Sequence, residues 1–215
     1  RACAVGMALI AGLSASAEDF TPRNPMTLWY DVPSTATGVK NVWMEYSLPI
    51  GNGQLGGSLF GGLNKDEIQF NEKTLWTGKP NDMQGYGGGY GQYKNFGSIF
   101  VEDLSGVFLP GKDGEVKDYV RSLDLQEGIG RVHCTSAEYM TAYDRTYFVS
   151  NPDKVMVARY QASGKKKLHL LFSFAPGKDI NASPVVYATD AGSLPYANFH
   201  GQLETVAYQA TMRVV

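Results

Sequence analysis

The chain has 215 residues, a formal net charge of -2, 43% hydrophobic residues, 13 Tyr, 10 Phe and 3 Trp. So much apolar and aromatic material excludes a disordered chain and can fill the core of one large domain. The near-neutral, mixed charge gives no footing for nucleic acid or an anionic membrane as partner.

Residues 5–13 are an apolar run, followed by Ser14-Ala15-Ser16-Ala17, a small-x-small pattern before Glu18. This is the layout of a secretory signal peptide and its cleavage site, and the run is too short to span a bilayer. Residues 1–17 are therefore expected to be the remnant of a signal peptide and residues 18–215 the mature domain, secreted or periplasmic, with no membrane segment. Cys3 would leave with the signal, and Cys134 would then stand alone. Cys134 lies in the alternating stretch Arg131-Val132-His133-Cys134-Thr135, which reads as a strand carrying a buried structural thiol rather than a nucleophile.

Pro22 and Pro25 make residues 21–24 an extended lead-in. Residues 28–32 read as a first strand and 34–40 as a loop, and 42–47 carry Trp43 and Glu45 up to the most informative stretch. There, glycines from Gly51 to Gly62 flank the apolar run 55–60, which dictates a tight turn, one strand and another turn. Residues 68–70 form a further short strand. Asn52, Gln54, Asn71 and Glu72 fall at the two turns, close in sequence to Trp76. Amides, a carboxylate and an indole suit a neutral, hydroxyl-rich ligand, because amides both donate and accept and a ring can lie against the apolar face of a sugar. The same residues can instead fix loop geometry through backbone hydrogen bonds. Residues 79–93 form a loop rich in glycine and tyrosine, in which Tyr86, Tyr90 and Tyr93 either line a sugar-contacting edge or order the loop.

From residue 98 onward the pattern is mostly of period two. Strands are expected over 98–102, 119–125, 130–135, 138–143, 146–150, 155–161, 167–174, 185–189, 197–203 and 206–215, separated by turn-forming Gly, Pro, Asn and Asp. No amphipathic helix is evident. The expected fold is all-β: a large antiparallel β-sandwich with short or no helices. The final strand pattern stops without a turn or polar tail, so further sequence is expected to follow it.

Chemistry-bearing constellations are sparse. His133, His169 and His200 are widely separated, with His133 and His169 on expected strands. There is no Gly-x-Ser-x-Gly elbow, no phosphate-loop Lys-Ser/Thr after Gly87 to Gly91, and no zinc spacing. Lys165-Lys166-Lys167 reads as a solvated turn. Neither metal nor cofactor is expected.

The run from Leu48 to Gly57, followed by Asn71-Glu72-Lys73-Thr74-Leu75-Trp76-Thr77-Gly78, resembles the amino-terminal domain of glycoside hydrolase family 95, best known for α-L-fucosidases. Leu28-Trp29-Tyr30-Asp31-Val32-Pro33, Tyr93 to Gly97, Tyr119 to Leu125 and Tyr147 to Asp153 follow in the same order. Ser98 and Thr146 depart from it, where Asp and Glu are frequent. The resemblance implies that the catalytic acid and base lie in an (α/α)6 barrel following the β-domain, so no residue of this chain is assigned as catalytic. It implies as contacts Asn52, Gln54, Asn71, Glu72 and Trp76, and as partners that helical catalytic domain and a fucosylated or galactosylated glycan. Two alternatives remain: a stand-alone carbohydrate-binding or surface-interaction module with Trp76 and the tyrosine loop as platform, and the equivalent domain of a neighbouring family, such as disaccharide phosphorylases.

Overall fold

A computed structural model describes residues 20–34, 40–78, 91–108, 116–189 and 194–215. The expected signal peptide, Tyr86 and Tyr90 lie outside the described residues. In chain order the elements are β1 (Thr27–Tyr30), α1 (Val42–Glu45), β2 (Leu48–Gly51), β3 (Leu55–Leu59), β4 (Lys65–Glu72), β5 (Gly97–Asp103), β6 (Val116–Asp124), β7 (Ile129–Ser136), β8 (Thr141–Val149), β9 (Met156–Gly164), β10 (Leu170–Pro176), β11 (Val186–Ala188), β12 (Tyr196–Gln202) and β13 (Ala207–Arg213). They form three antiparallel sheets: β1-β6-β7-β8-β9, β10-β5-β4-β3-β2 and β11-β12-β13. The fold is all-β and sandwich-like, as the alternation requires.

Four local differences have physical causes. Residues 138–143 and 146–150 are not two strands: residues 137–140 turn, and β8 runs unbroken through Asp144-Arg145. Charges there suggest a break, yet Asp144 points outward while Arg145 points inward with Thr141, Tyr143 and Tyr147. Leu48 and Ile50 extend the glycine-rich stretch into a strand of its own, both side chains buried. Residues 42–45 make a single helical turn, capped where Asn41 Oδ1 accepts the Met44 amide at 3.2 Å. His169 precedes β10 instead of lying on it.

The second sheet is the shared layer. The first sheet covers part of its inner face, giving a core of Leu48, Ile50, Leu59 and Ile68 against Tyr119, Leu123, Val132, Tyr143 and Tyr147. The third sheet covers the rest, giving a second core of Phe70, Leu75, Phe96 and Phe174 against Ile180, Ala197, Phe199 and Tyr208. Ile99 and Met156 pack against both cores, so the two are continuous. Two glycines permit the close approach. A Cβ on Gly57 would stand 2.6 Å from the Met156 methyl carbon, and Gly61 sits at φ 69 with its carbonyl accepting the Tyr119 hydroxyl at 2.6 Å.

An ionic group is sealed between the first two sheets. Asp66 alternates with Ile68 and Phe70 and so must enter the core with them. Its Oδ2 accepts the hydroxyls of Tyr147 at 2.6 Å and Tyr160 at 3.1 Å, and Arg145 Nη1 lies 3.3 Å away. Arg145 also donates to the carbonyls of Gly62 and Leu63. Burial acts to discharge Arg145, but Asp66 and the two tyrosines outweigh it and raise its pKa; burial, then Asp66, raises those of Tyr147 and Tyr160. Arg145 therefore stays charged and the two tyrosine hydroxyls stay neutral. A second buried cation, Arg121, has no carboxylate partner among the described residues: it donates to the carbonyls of Val32 and Tyr46 and stacks 4.1 Å from the centre of the Tyr30 ring.

Candidate functional site

The polar residues picked out by sequence gather at one end of the second sheet. The turn after β2 contains Asn52 and Gln54, and on the far side of β3, Leu55 is the cross-strand partner of Glu72 and Gly56 that of Asn71. The Lys73 amide closes the corner by donating to the Gln54 carbonyl at 2.9 Å.

Asn52 is committed to the protein. Its Oδ1 accepts the amides of Gln54 and Leu55, both at 2.9 Å, and its Nδ2 donates to the Ser150 carbonyl at 2.8 Å, tying the turn to the end of β8. Asn71 Oδ1 accepts the Glu72 amide at 2.9 Å. Glu72 Oε2 accepts the Thr74 amide at 2.8 Å and the Thr74 hydroxyl, while Oε1 is buried and no described group donates to it. These bonds are of the loop-fixing kind. Gln54 is exposed at the apex of its turn.

Trp76 follows at once. It bridges Tyr93, and the amides and carbonyls of Thr77 and Gln92 exchange hydrogen bonds of 2.9 and 3.1 Å, with the Lys94 amide donating to Leu75. This two-stranded stem brackets residues 79–90 and is rooted by Leu75, only 1% exposed. The Trp76 and Tyr93 rings meet edge to face at 4.9 Å and remain 42% and 49% exposed. Leu75 and Trp76 thus divide the labour: the apolar neighbour anchors the stem, and the indole is held out in water. The sequence suggests for Tyr93 either a sugar-contacting edge or a role in ordering its loop; the stem joining it to Trp76 is legible only once both flanks are seen to pair.

The corner offers fixed aromatic surface and amide groups, which recognise hydroxyl-bearing, uncharged molecules. Glycoside hydrolysis needs a proton donor and a base or nucleophile on either side of the bond, and Glu72, with one oxygen bound to Thr74 and the other buried, is not presented for that work. Among the described residues no group of three or more His, Cys, Asp or Glu is placed to hold a metal ion. The histidines occupy three unrelated places: His133 on β7 beside Asp144, His169 ahead of β10, and His200 on β12 beside Ser183.

Residues 28–89 and 81–215 match the family model described as the N-terminal domain of glycosyl hydrolase family 65. Alpha-L-fucosidase 2 of Arabidopsis thaliana is 28% identical over 166 residues, 65% of this chain and 19% of that protein. A protein of Aspergillus niger named "Probable alpha-fucosidase A" is 26% identical over 166 residues, 64% of this chain and 20% of that protein. The chain spans about a fifth of the length of these curated relatives.

Proposed function

The chain belongs to the family of glycosyl hydrolase family 65 N-terminal domains, and from that premise we propose that it is the amino-terminal β-sandwich of an exported α-L-fucosidase of the family 95 type, packing on a helical (α/α)6 barrel and shaping one rim of its sugar site. The observation that carries this reading is the family match across almost the whole described chain. The two relatives named as α-fucosidases, and the residues quoted above for the family 95 resemblance, support the finer assignment. Export is supported by the apolar run and small-residue site in residues 5–17. Trp43 and Met44 on α1, 52% and 70% exposed, supply apolar surface of the sort that a neighbouring domain covers.

In this reading catalysis belongs to the barrel, and the corner of the second sheet contributes contact. Trp76 and Tyr93 lie against the sugar or its leaving group, Gln54 reaches a hydroxyl, and Asn52, Asn71 and Glu72 hold the loops that present them. In the enzyme joining this chain to its barrel, Trp76→Ala is expected to raise KM for an aryl α-L-fucoside several-fold with kcat little changed, the mark of lost uniform binding. An unchanged KM removes Trp76 from the sugar site.

The exposed Trp76–Tyr93 pair also favours a second reading, a stand-alone carbohydrate-binding module. Calorimetry of the chain with fucosylated and galactosylated glycans separates the two. Millimolar binding lost in Trp76→Ala supports the module, and silence across both sets counts against it.

A further inference from the structure

The outer face of the first sheet, on a different layer from the Trp76 corner, carries a cavity of about 230 Å³. Its floor is a grid fixed by strand register. Ser122, Arg131 and Thr146 form one row across β6, β7 and β8, and His133 and Asp144 begin the next. The lead-in to β1 supplies a rim of Phe20 and Arg23, with Phe20 steadied by the Trp29 ring at 5.3 Å.

The polar groups fall into two sets. Some are used by the protein itself. Asp124 accepts the Glu127 and Gln126 amides, both at 2.9 Å, and the Asn24 side chain; these bonds, led by that from Glu127, hold its carboxyl below the usual carboxylate range. Arg131 is paired with Glu127 at 2.7 Å. The others face the cavity. His133 Nδ1 and Asp144 Oδ1 are 2.7 Å apart, which orients both side chains and leaves His133 Nε2 and Asp144 Oδ2 for a ligand beside the hydroxyls of Ser122 and Thr146.

Charge and size narrow the occupant. Arg131 is paired with Glu127 and Arg145 with Asp66, which leaves Arg23 beside Asp124 and Asp144, so an anion meets a carboxylate and a cation meets a guanidinium. A neutral molecule that both donates and accepts meets no such opposition, since a carboxylate takes two hydroxyl donors and imidazole serves in either sense. At about 230 Å³ the space falls below the roughly 300–1,000 Å³ of pockets for drug-sized ligands and admits one ring, not a chain of them.

We propose that this cavity is a second carbohydrate site, accepting a single neutral pyranose: Asp144 and His133 bind its hydroxyls, Arg23 donates from the rim, and Phe20 covers its C–H face. The site is independent of the Trp76 corner.

Proton NMR of the 215-residue chain, titrated separately with L-fucose and D-galactose, tests it through the His133 ring signals. Saturable millimolar shifts are expected with at least one sugar. Asp144→Ala, at a half-exposed position that folding tolerates, should weaken binding about tenfold or more, as loss of a hydrogen bond to a charged group does. Thr146→Trp, a strand-compatible residue that fills the space, should abolish it. Trp76→Ala should leave it unchanged, which separates this site from the corner. Absence of shifts with both sugars, retention of binding in Asp144→Ala and Thr146→Trp, or its loss in Trp76→Ala would each overturn the proposal.

Discussion

Asp66 and Arg145 are the costliest residues in the sandwich to separate. Both are buried, so Asp66→Ala leaves a guanidinium with only backbone carbonyls and two tyrosines around it, and the expected loss is about 3–5 kcal/mol of unfolding free energy. Urea titration followed by tryptophan fluorescence measures this directly, and a loss below about 1 kcal/mol would mean that water or rearrangement reaches the site. The corner residues divide in the same assay. Asn52→Ala removes three hydrogen bonds to backbone and is expected to cost about 1–3 kcal/mol, whereas Gln54→Ala at the exposed apex should stay within about 0.5 kcal/mol. Equal effects would show that Asn52 does not hold the turn. At this scale the sequence was partly legible. Alternation with Ile68 and Phe70 is enough to send Asp66 inward, but nothing local says that Arg145, two strands into another sheet, will meet it.

Strands decide what each side chain experiences. Because β7 alternates strictly, Cys134 is fully buried between Val132 and Ser136 on the inner face, and burial pushes its thiol up to about 12, Arg145 opposing and Asp144 reinforcing the shift. The thiolate is therefore scarce at neutral pH and sterically hidden. Iodoacetamide at pH 8 should leave Cys134 unmodified in the folded chain and alkylate it fully in denaturant; rapid labelling without denaturant would place β7 at an opening edge. Strand identities over residues 98–213 follow from period-two patterning, since nearly every expected strand has a counterpart. The boundaries that moved did so at charged or glycine-bearing residues, Asp144-Arg145 and Leu48 to Gly51, where pairing partners outweighed local composition. The pairing of β10 with β5 and of β1 with β6 joins segments far apart in sequence and could not be read from either alone.

The molecule is a shared sheet with one sheet on each part of its inner face, and that plan explains why so long a chain carries so little visible chemistry. Several of its polar side chains inside the sandwich join layers: Asp66 and Arg145 between the first and second sheets, Tyr208 donating to the Ile180 carbonyl under the third. What stays outward includes exposed aromatic side chains, at the Trp76–Tyr93 stem and on α1. All-β class and the glycine-rich corner were readable from residue pattern, and a glycoside hydrolase amino-terminal domain from the motifs, although the family model that matches is that of family 65; the third sheet's role as a separate cover was not, because it depends on Phe96, Phe174 and Phe199 meeting from three distant segments. The central claim is that this β-domain supplies binding and packing while the reacting groups reside on another domain. Turnover of an aryl α-L-fucoside by the purified, cooperatively folding 215-residue chain tests it most directly. The account predicts a rate no different from the uncatalysed reaction; turnover that disappears when a single carboxylate of this chain is replaced would contradict it.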